Sequence, residues 1–269
     1  MMAQNEKKDW FGDGDAYEHY VGRWSRPVGE MFLAWMSHSP GLRWADVGCG
    51  TGALTETILK QADPEHVTGV EPSEGFLGLA KAGVKDERAE FKIGDARSLP
   101  LADRTVDVVV SGLVLNFVPD KTQALQEMLR IVRPGGTIAA YVWDYAGDMQ
   151  LMRYFWNAVG ELFPDGSLHD EGNKFPICKP DPLADLFRNS GLEAIETCAL
   201  DAPTVFADFD DYWSPFLRGQ GPAGAYCVSL PEEDRERLRK HLKSTLPFSG
   251  DGSIGLIARA WAVSGTAQK

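Results

Sequence analysis

Between about residues 42 and 145 the chain switches repeatedly between two hydrophobic periods. Short apolar runs at Trp44 to Val47, Val67 to Val70, Phe91 to Ile93, Val106 to Ser111 and Ile138 to Trp143 have the length of strands. The run Val106-Asp107-Val108-Val109-Val110 is nearly continuous, which suits a strand covered on both faces. Between these runs the apolar residues recur at helical spacing. Leu54 and Ile58 are one turn apart, in a helix over Ala53 to Gln61. Ser73 is placed to cap a helix over Glu74 to Ala82. Ala124, Leu125, Met128, Leu129 and Val132 form one apolar stripe, and Pro134-Gly135-Gly136 is expected to end that helix. Strand and helix in alternation predict an α/β fold built on a doubly wound parallel sheet.

The flanks break this alternation. Residues 1 to 40 are rich in aromatics, with Trp10, Phe11, Tyr17, Tyr20, Trp24, Phe32 and Trp35. After residue 145 come an apolar helix, Met149 to Phe163, a loop rich in Pro, Gly and Asp, and a helix over Asp181 to Asn189 ended by Gly191. Leu192 to Leu200 and Ser253 to Val263 read as two more strands, with helices expected at Asp208 to Leu217 and Pro231 to Leu246 between them. The expected division is an N-terminal helical lid (1–40), a core (41–145), a cap insertion (146–180), a core helix and strand (181–204), a second cap insertion (205–250) and a final core strand with a tail (251–269).

Composition narrows the class. The 269 residues are 43% hydrophobic and 25% charged, enough to bury a core and unlike a disordered chain. No apolar run approaches the roughly 20 residues that span a bilayer. The polar start, Met1 to Trp10, has no signal-peptide core, so a cytoplasmic location is expected. The net charge of −12 argues against nucleic acid and anionic membrane as partners. The densest basic stretch, Arg235 to Lys243, also carries Glu236 and reads as the solvated face of a helix. Cys49, Cys178, Cys198 and Cys227 form no C-x-x-C pair, so no metal is expected.

Candidate chemistry gathers where strands end, which is where open α/β sheets bind ligands. After the first strand runs Asp46-Val47-Gly48-Cys49-Gly50-Thr51-Gly52, a glycine-rich turn opening a helix. Glu71 ends the second strand and could accept two hydrogen bonds from a ribose diol. It could equally be a helix-start carboxylate beside Pro72 and Ser73. Gly94-Asp95-Ala96 follows the third strand, where Asp95 could accept from an adenine amino group and the Ala96 amide could donate to a ring nitrogen. An Asx turn accounts for the same residues. Ser111-Gly112-Leu113-Val114-Leu115-Asn116-Phe117 follows the fourth and could offer carbonyls to an ammonium group.

The run Asp46 to Gly52, then Gly69-Val70-Glu71-Pro72-Ser73, then Gly94-Asp95-Ala96 with Leu99-Pro100 and Asp107 following, then Leu129-Arg130-Ile131-Val132-Arg133-Pro134-Gly135-Gly136, resembles in order and spacing the motif series of the class I S-adenosylmethionine-dependent methyltransferases. The style is that of the small-molecule branch with the quinone-biosynthetic enzymes, the methyltransferase type 11-like group. The resemblance covers roughly residues 40 to 145. It implies a seven-stranded Rossmann-like sheet with a reversed last strand, a role Ser253 to Val263 fits. It implies S-adenosyl-L-methionine as cofactor, S-adenosyl-L-homocysteine as product and a small-molecule methyl acceptor as partner. By the same carry-over Gly48, Gly50 and Gly52 approach the methionine and ribose, Glu71 binds ribose hydroxyls, Asp95 and Ala96 bind adenine, and the backbone at Gly112 and Leu113 faces the methionine amine.

Relatives often carry His near Asn116-Phe117; Asn cannot act as a base, so no catalytic residue is carried over there. Alignment and desolvation are expected to supply most of the acceleration, with a base needed only if the acceptor is protonated at working pH. His19 is the best of the weak base candidates, ahead of Tyr17, Tyr20 and His169. Arg23 and Arg26 are candidates for a cofactor carboxylate or for plain surface ion pairs. Two rival readings remain at this point. One is a cofactor-binding protein without methyl transfer. The other is a nicotinamide oxidoreductase, disfavoured by the glycine spacing and by the lack of Tyr-x-x-x-Lys.

Overall fold

A computed structural model describes residues 22–268. Seven strands form one sheet: β1 (Arg43–Val47), β2 (His66–Glu71), β3 (Ala89–Ile93), β4 (Val106–Gly112), β5 (Val132–Trp143), β6 (Glu193–Phe206) and β7 (Ile254–Thr266), in the order β3-β2-β1-β4-β5-β7-β6. The β3-β2-β1-β4-β5 ladders are parallel, while β7 runs antiparallel to both β5 and β6. The sheet is thus Rossmann-like with a reversed last strand. Strand order reverses between β1 and β4, the switch point where such sheets leave a crevice.

Helix boundaries follow local chemistry. Helix α1 (Arg23–Met36) is followed by α2 (Ala53–Gln61) and by α3 (Glu74–Gly83), whose Ser73 cap accepts from the Phe76 amide at 3.4 Å. Asp120 accepts from the Gln123 amide at 2.9 Å and starts α4 (Lys121–Ile131), which buries Ala124, Leu125 and Met128. Helix α4 ends at Ile131 rather than at Pro134-Gly135-Gly136, because Val132 already enters β5. The proline and glycines lie inside that strand. Val106 pairs with Val132 but Val108 with Thr137, so the ladder slips there, and Gly135 takes φ 78°.

Beyond the parallel half come α5 (Gln150–Leu162), α6 (Glu171–Lys174) and α7 (Pro180–Asn189). Then, between β6 and β7, come α8 (Phe209–Trp213), α9 (Gly221–Ser229) and α10 (Glu232–Thr245). Helix α9 escapes the sequence pattern, since Gly221-Pro222-Ala223-Gly224 reads as a loop. The basic stretch on α10 is laced with acids: Arg237 pairs with Asp234, Arg239 with Asp210, and His241 with Glu161.

The expected lid falls mostly on residues 1–21, outside the described residues. Its remainder contains α1, which packs on α2 and β6 with Val28 and Phe32 fully buried. The Phe32 ring sits 4.7 Å from Tyr141 of β5. This segment is part of the core. No helix of the described residues is long and apolar enough to cross a membrane.

Candidate active site

Above the switch point the carboxyl ends of β1, β2, β4 and β5 enclose a cavity of about 310 Å³, joined to a second of about 180 Å³ at the end of β3. Gly48, Pro72, Val114 and Phe117 border both. Gly48, Gly50, Glu71, Gly112 and Leu113 line the larger cavity; Asp95 and Ala96 line the smaller. Gly52 lines neither.

The three glycines of the first loop all have positive φ, at 77°, 54° and 88°, which only glycine adopts without strain. Their roles differ. A Cβ at Gly48 would lie 2.6 Å from the Val114 side chain, so this glycine lets the loop close on the segment after β4. A Cβ at Gly52 would meet Val84 at 3.0 Å and Ala80 at 3.3 Å, so this glycine seats α2 against α3. Gly50 alone has open space where its side chain would be. Its backbone lines the cavity together with Gly48, Cys49 and Thr51.

Two buried carboxylates stand beneath that loop. Asp46 is 1% exposed at the end of β1. The Thr55 hydroxyl donates to its Oδ2 at 2.7 Å, while its Oδ1 has no partner. Burial pushes the Asp46 carboxyl up to about 7, helped by the charge of Glu71 and opposed by the Thr55 hydrogen bond. Glu71 accepts the Gly50 amide on Oε2 at 3.1 Å and the Ser73 amide on Oε1 at 3.0 Å. Burial raises its pKa, and the two amides oppose the shift. Burial also drives the Cys49 thiol far up, so it is no nucleophile at neutral pH.

In the smaller cavity Asp95 is held by Arg97. The guanidinium donates to Oδ1 at 2.9 Å and to Oδ2 at 2.6 Å, and the Arg97 amide donates to Oδ1 at 2.8 Å. Gly94 is required there because a Cβ would lie 2.6 Å from Pro100. Leu113 has φ 62° and donates its amide to the Tyr141 carbonyl at 2.7 Å, fixing the turn after β4.

Sequence reasoning did not find Tyr141, Ser25 or Phe76, which also line the larger cavity. A Cβ on Gly112 would lie 2.6 Å from the Tyr141 hydroxyl, so that glycine makes room for the phenol. Only the position of Tyr141 near the end of a predicted strand pointed to it. His19, Tyr17 and Tyr20 lie outside the described residues. His169 has its ring 5.4 Å from that of Tyr226, tilted by 37°, and lines neither cavity. Arg23 pairs with Asp211 at 3.0 Å and Arg26 with Glu56 at 3.7 Å, so both are engaged in ion pairs away from the cleft.

A family model described as a methyltransferase domain matches residues 45–140. Demethylmenaquinone methyltransferase of Bacillus cytotoxicus is 32% identical over 177 residues, covering 60% of this chain and 74% of that protein. Arsenite methyltransferase of Halobacterium salinarum is 28% identical over 211 residues, covering 77% of this chain and 49% of that protein. Among solved structures, phosphoethanolamine N-methyltransferase 2 of Haemonchus contortus, in complex with S-adenosyl-L-methionine, aligns with a TM-score of 0.58 at 16% identity. It covers 97% of this chain and 58% of its own. This protein therefore belongs to the class I S-adenosylmethionine-dependent methyltransferases.

Proposed function

We propose that the cleft binds S-adenosyl-L-methionine through the residues described above and transfers its methyl group to a small-molecule acceptor. The observation that carries this reading is the pair of buried carboxylates, Asp46 and Glu71, facing one cavity beneath an open glycine. The unpartnered Asp46 Oδ1 needs a donor, and a ligand ammonium or an intervening water would supply one. The Glu71 oxygens each keep a lone pair beyond the amides they already accept, enough for a vicinal diol. The open face of Gly50 admits a sugar and thioether without a Cβ in the way. For the adenine edge the reading uses Asp95, whose carboxylate Arg97 orients, and the Ala96 amide, both from residues lining the smaller cavity.

When bound, the cofactor supplies a methyl group on a positively charged sulfur, which leaves as a neutral thioether. The protein's part is to hold and align. Val114, Phe117, Phe76 and Tyr141 form apolar and aromatic walls that exclude water from the reacting centre. Among the described residues no histidine or lysine lines either cavity. Alignment of two bound reactants is worth on the order of 7–11 kcal/mol, which makes a general base dispensable for an acceptor already deprotonated. The relatives named above act on a demethylmenaquinone and on arsenite, so the acceptor of this chain is not read from theirs.

Calorimetry with S-adenosyl-L-methionine and S-adenosyl-L-homocysteine tests the reading. Low-micromolar binding, roughly −8 kcal/mol, is expected. Absence of heat and of thermal protection with both compounds would overturn it. Release of S-adenosyl-L-homocysteine across a panel of phenols, amines and carboxylic acids then tests transfer.

A further inference from the structure

Just beyond the cleft is a third cavity, of about 430 Å³, that the cofactor reading leaves unused. It is lined by Asn116, Lys121, Lys174, Phe175, Ile177 and prolines. Asn116 comes from the turn after β4, Lys121 opens α4, and Lys174 ends α6 in the segment that follows the core. Phe175 meets Phe117 edge-on at 5.3 Å, and Phe117 borders the cofactor cleft. This ring contact links a wall of the cavity to a wall of the cleft.

Three side chains of this cavity carry hydrogen-bond donors: Asn116, Lys121 and Lys174. Asn116 is 95% buried, being 5% exposed, and its Nδ2 has no hydrogen-bond partner. A buried amide donor left unpaired costs about 1–3 kcal/mol, so a ligand acceptor there would be strongly favoured. Lys121 donates to the Val118 carbonyl at 2.9 Å and keeps two further protons. Among the described residues neither Lys121 nor Lys174 makes an ion pair, in a chain of net charge −12. Two nearby carboxylates, Asp120 and Asp144, do not line the cavity. Asp120 accepts the Gln123 amide, and Asp144 accepts the Asp148 amide at 2.9 Å.

From the unpartnered buried Asn116 Nδ2 and the two lysines that line the same cavity without an ion pair, we infer that this cavity holds an acidic group of the methyl acceptor, a carboxylate or a phosphate. The apolar part of the acceptor packs on Phe175 and reaches past Phe117 toward the cleft. The inference rests on the methyl-transfer reading of that cleft. It places the specificity-determining charge on residues that belong to no cofactor motif.

The test uses the full chain, with and without S-adenosyl-L-homocysteine, titrated at low ionic strength with phenyl phosphate, benzoate, phenol and benzamide. At least one of the two acids should bind ten times or more tighter than the neutral probes, and the stronger acid identifies the group. K121A/K174A should lose at least tenfold in affinity for that acid while binding S-adenosyl-L-homocysteine as the wild type does. Asn116→Asp should weaken the acid further than Asn116→Ser, because it adds a like charge. Raising the salt should erode the preference. Equal binding of acids and neutral probes, or full acid affinity in K121A/K174A, would overturn the inference. A protein that binds the acid through these lysines but not S-adenosyl-L-homocysteine would keep the anion site and overturn only the methyl-transfer reading.

Discussion

The amide of Gly50 donates to Glu71 Oε2 at 3.1 Å, so the carboxylate ending β2 holds the glycine loop of β1 in place before any ligand arrives. Glu71 is thus a buried loop brace whose side chain also lines the cavity. Its second oxygen starts α3 through the Ser73 amide, so the helix-start and ligand-binding readings of this residue are compatible.

Glu71→Ala should weaken S-adenosyl-L-methionine binding by about 1–3 kcal/mol and lower the melting temperature as well, because two backbone amides lose their acceptor. Glu71→Gln keeps one acceptor oxygen for one of the two amides and should recover only part of both the stability and the affinity. Calorimetry and thermal melts on both variants check this. Unchanged affinity in Glu71→Ala would leave the residue a structural brace alone.

The glycines of the loop should separate by what their missing side chains face. Gly50→Val should cost about 1–2 kcal/mol of stability from positive φ, yet abolish cofactor binding, since its side chain enters open space in the cleft. Gly48→Ala should destabilise more, through the 2.6 Å approach to Val114, and Val114→Ala should restore part of that loss. A Gly50→Val protein that still binds the cofactor would contradict the cradle.

Asp46 makes stability depend on pH. Its folded pKa is raised to about 7 from 3.8, so the unfolded chain gives up its proton first. The contribution is full at low pH and is lost as pH rises between about 4 and 7. Asp46→Asn keeps an acceptor for Thr55 and should be about 1–3 kcal/mol more stable than wild type at pH 8, with little difference at pH 4. Cofactor affinity of the wild type should rise as pH passes 7 and Asp46 ionises, whereas the Asn variant should stay flat. Melting curves and calorimetry from pH 4 to 9 read both effects.

Glu171 behaves similarly but away from the cleft. It is 2% exposed, accepts from the Trp156 indole nitrogen, and is pushed up to about 7 by burial. Glu171→Gln should flatten the fall of stability between about pH 4.5 and 7 without changing cofactor affinity. Trp156 reports directly: its fluorescence should titrate near pH 7 in wild type and not in the variant. Loss of cofactor binding in Glu171→Gln would tie this helix to the cleft and contradict the separation.

The sequence by itself determined the parallel half of the sheet, the switch-point loop and most of the residues around it. Near-continuous apolar runs, the Ser73 cap and the spacing of Asp46 to Gly52 are local features, and local backbone chemistry writes them into the order of residues. It misplaced the end of α4, since the pairing of Val132 with Val106 across the sheet decides where the strand begins. It missed α9, whose glycines and proline are compatible with a helix only once packing covers them. Tertiary structure alone decided that Gly48 serves Val114, that Gly52 serves Val84, and that Gly112 makes room for Tyr141. It alone set Asn116, Lys121 and Lys174 around one cavity. Those contacts join residues far apart in the chain, and a periodic pattern carries no record of which distant side chain will fill the space a glycine leaves open.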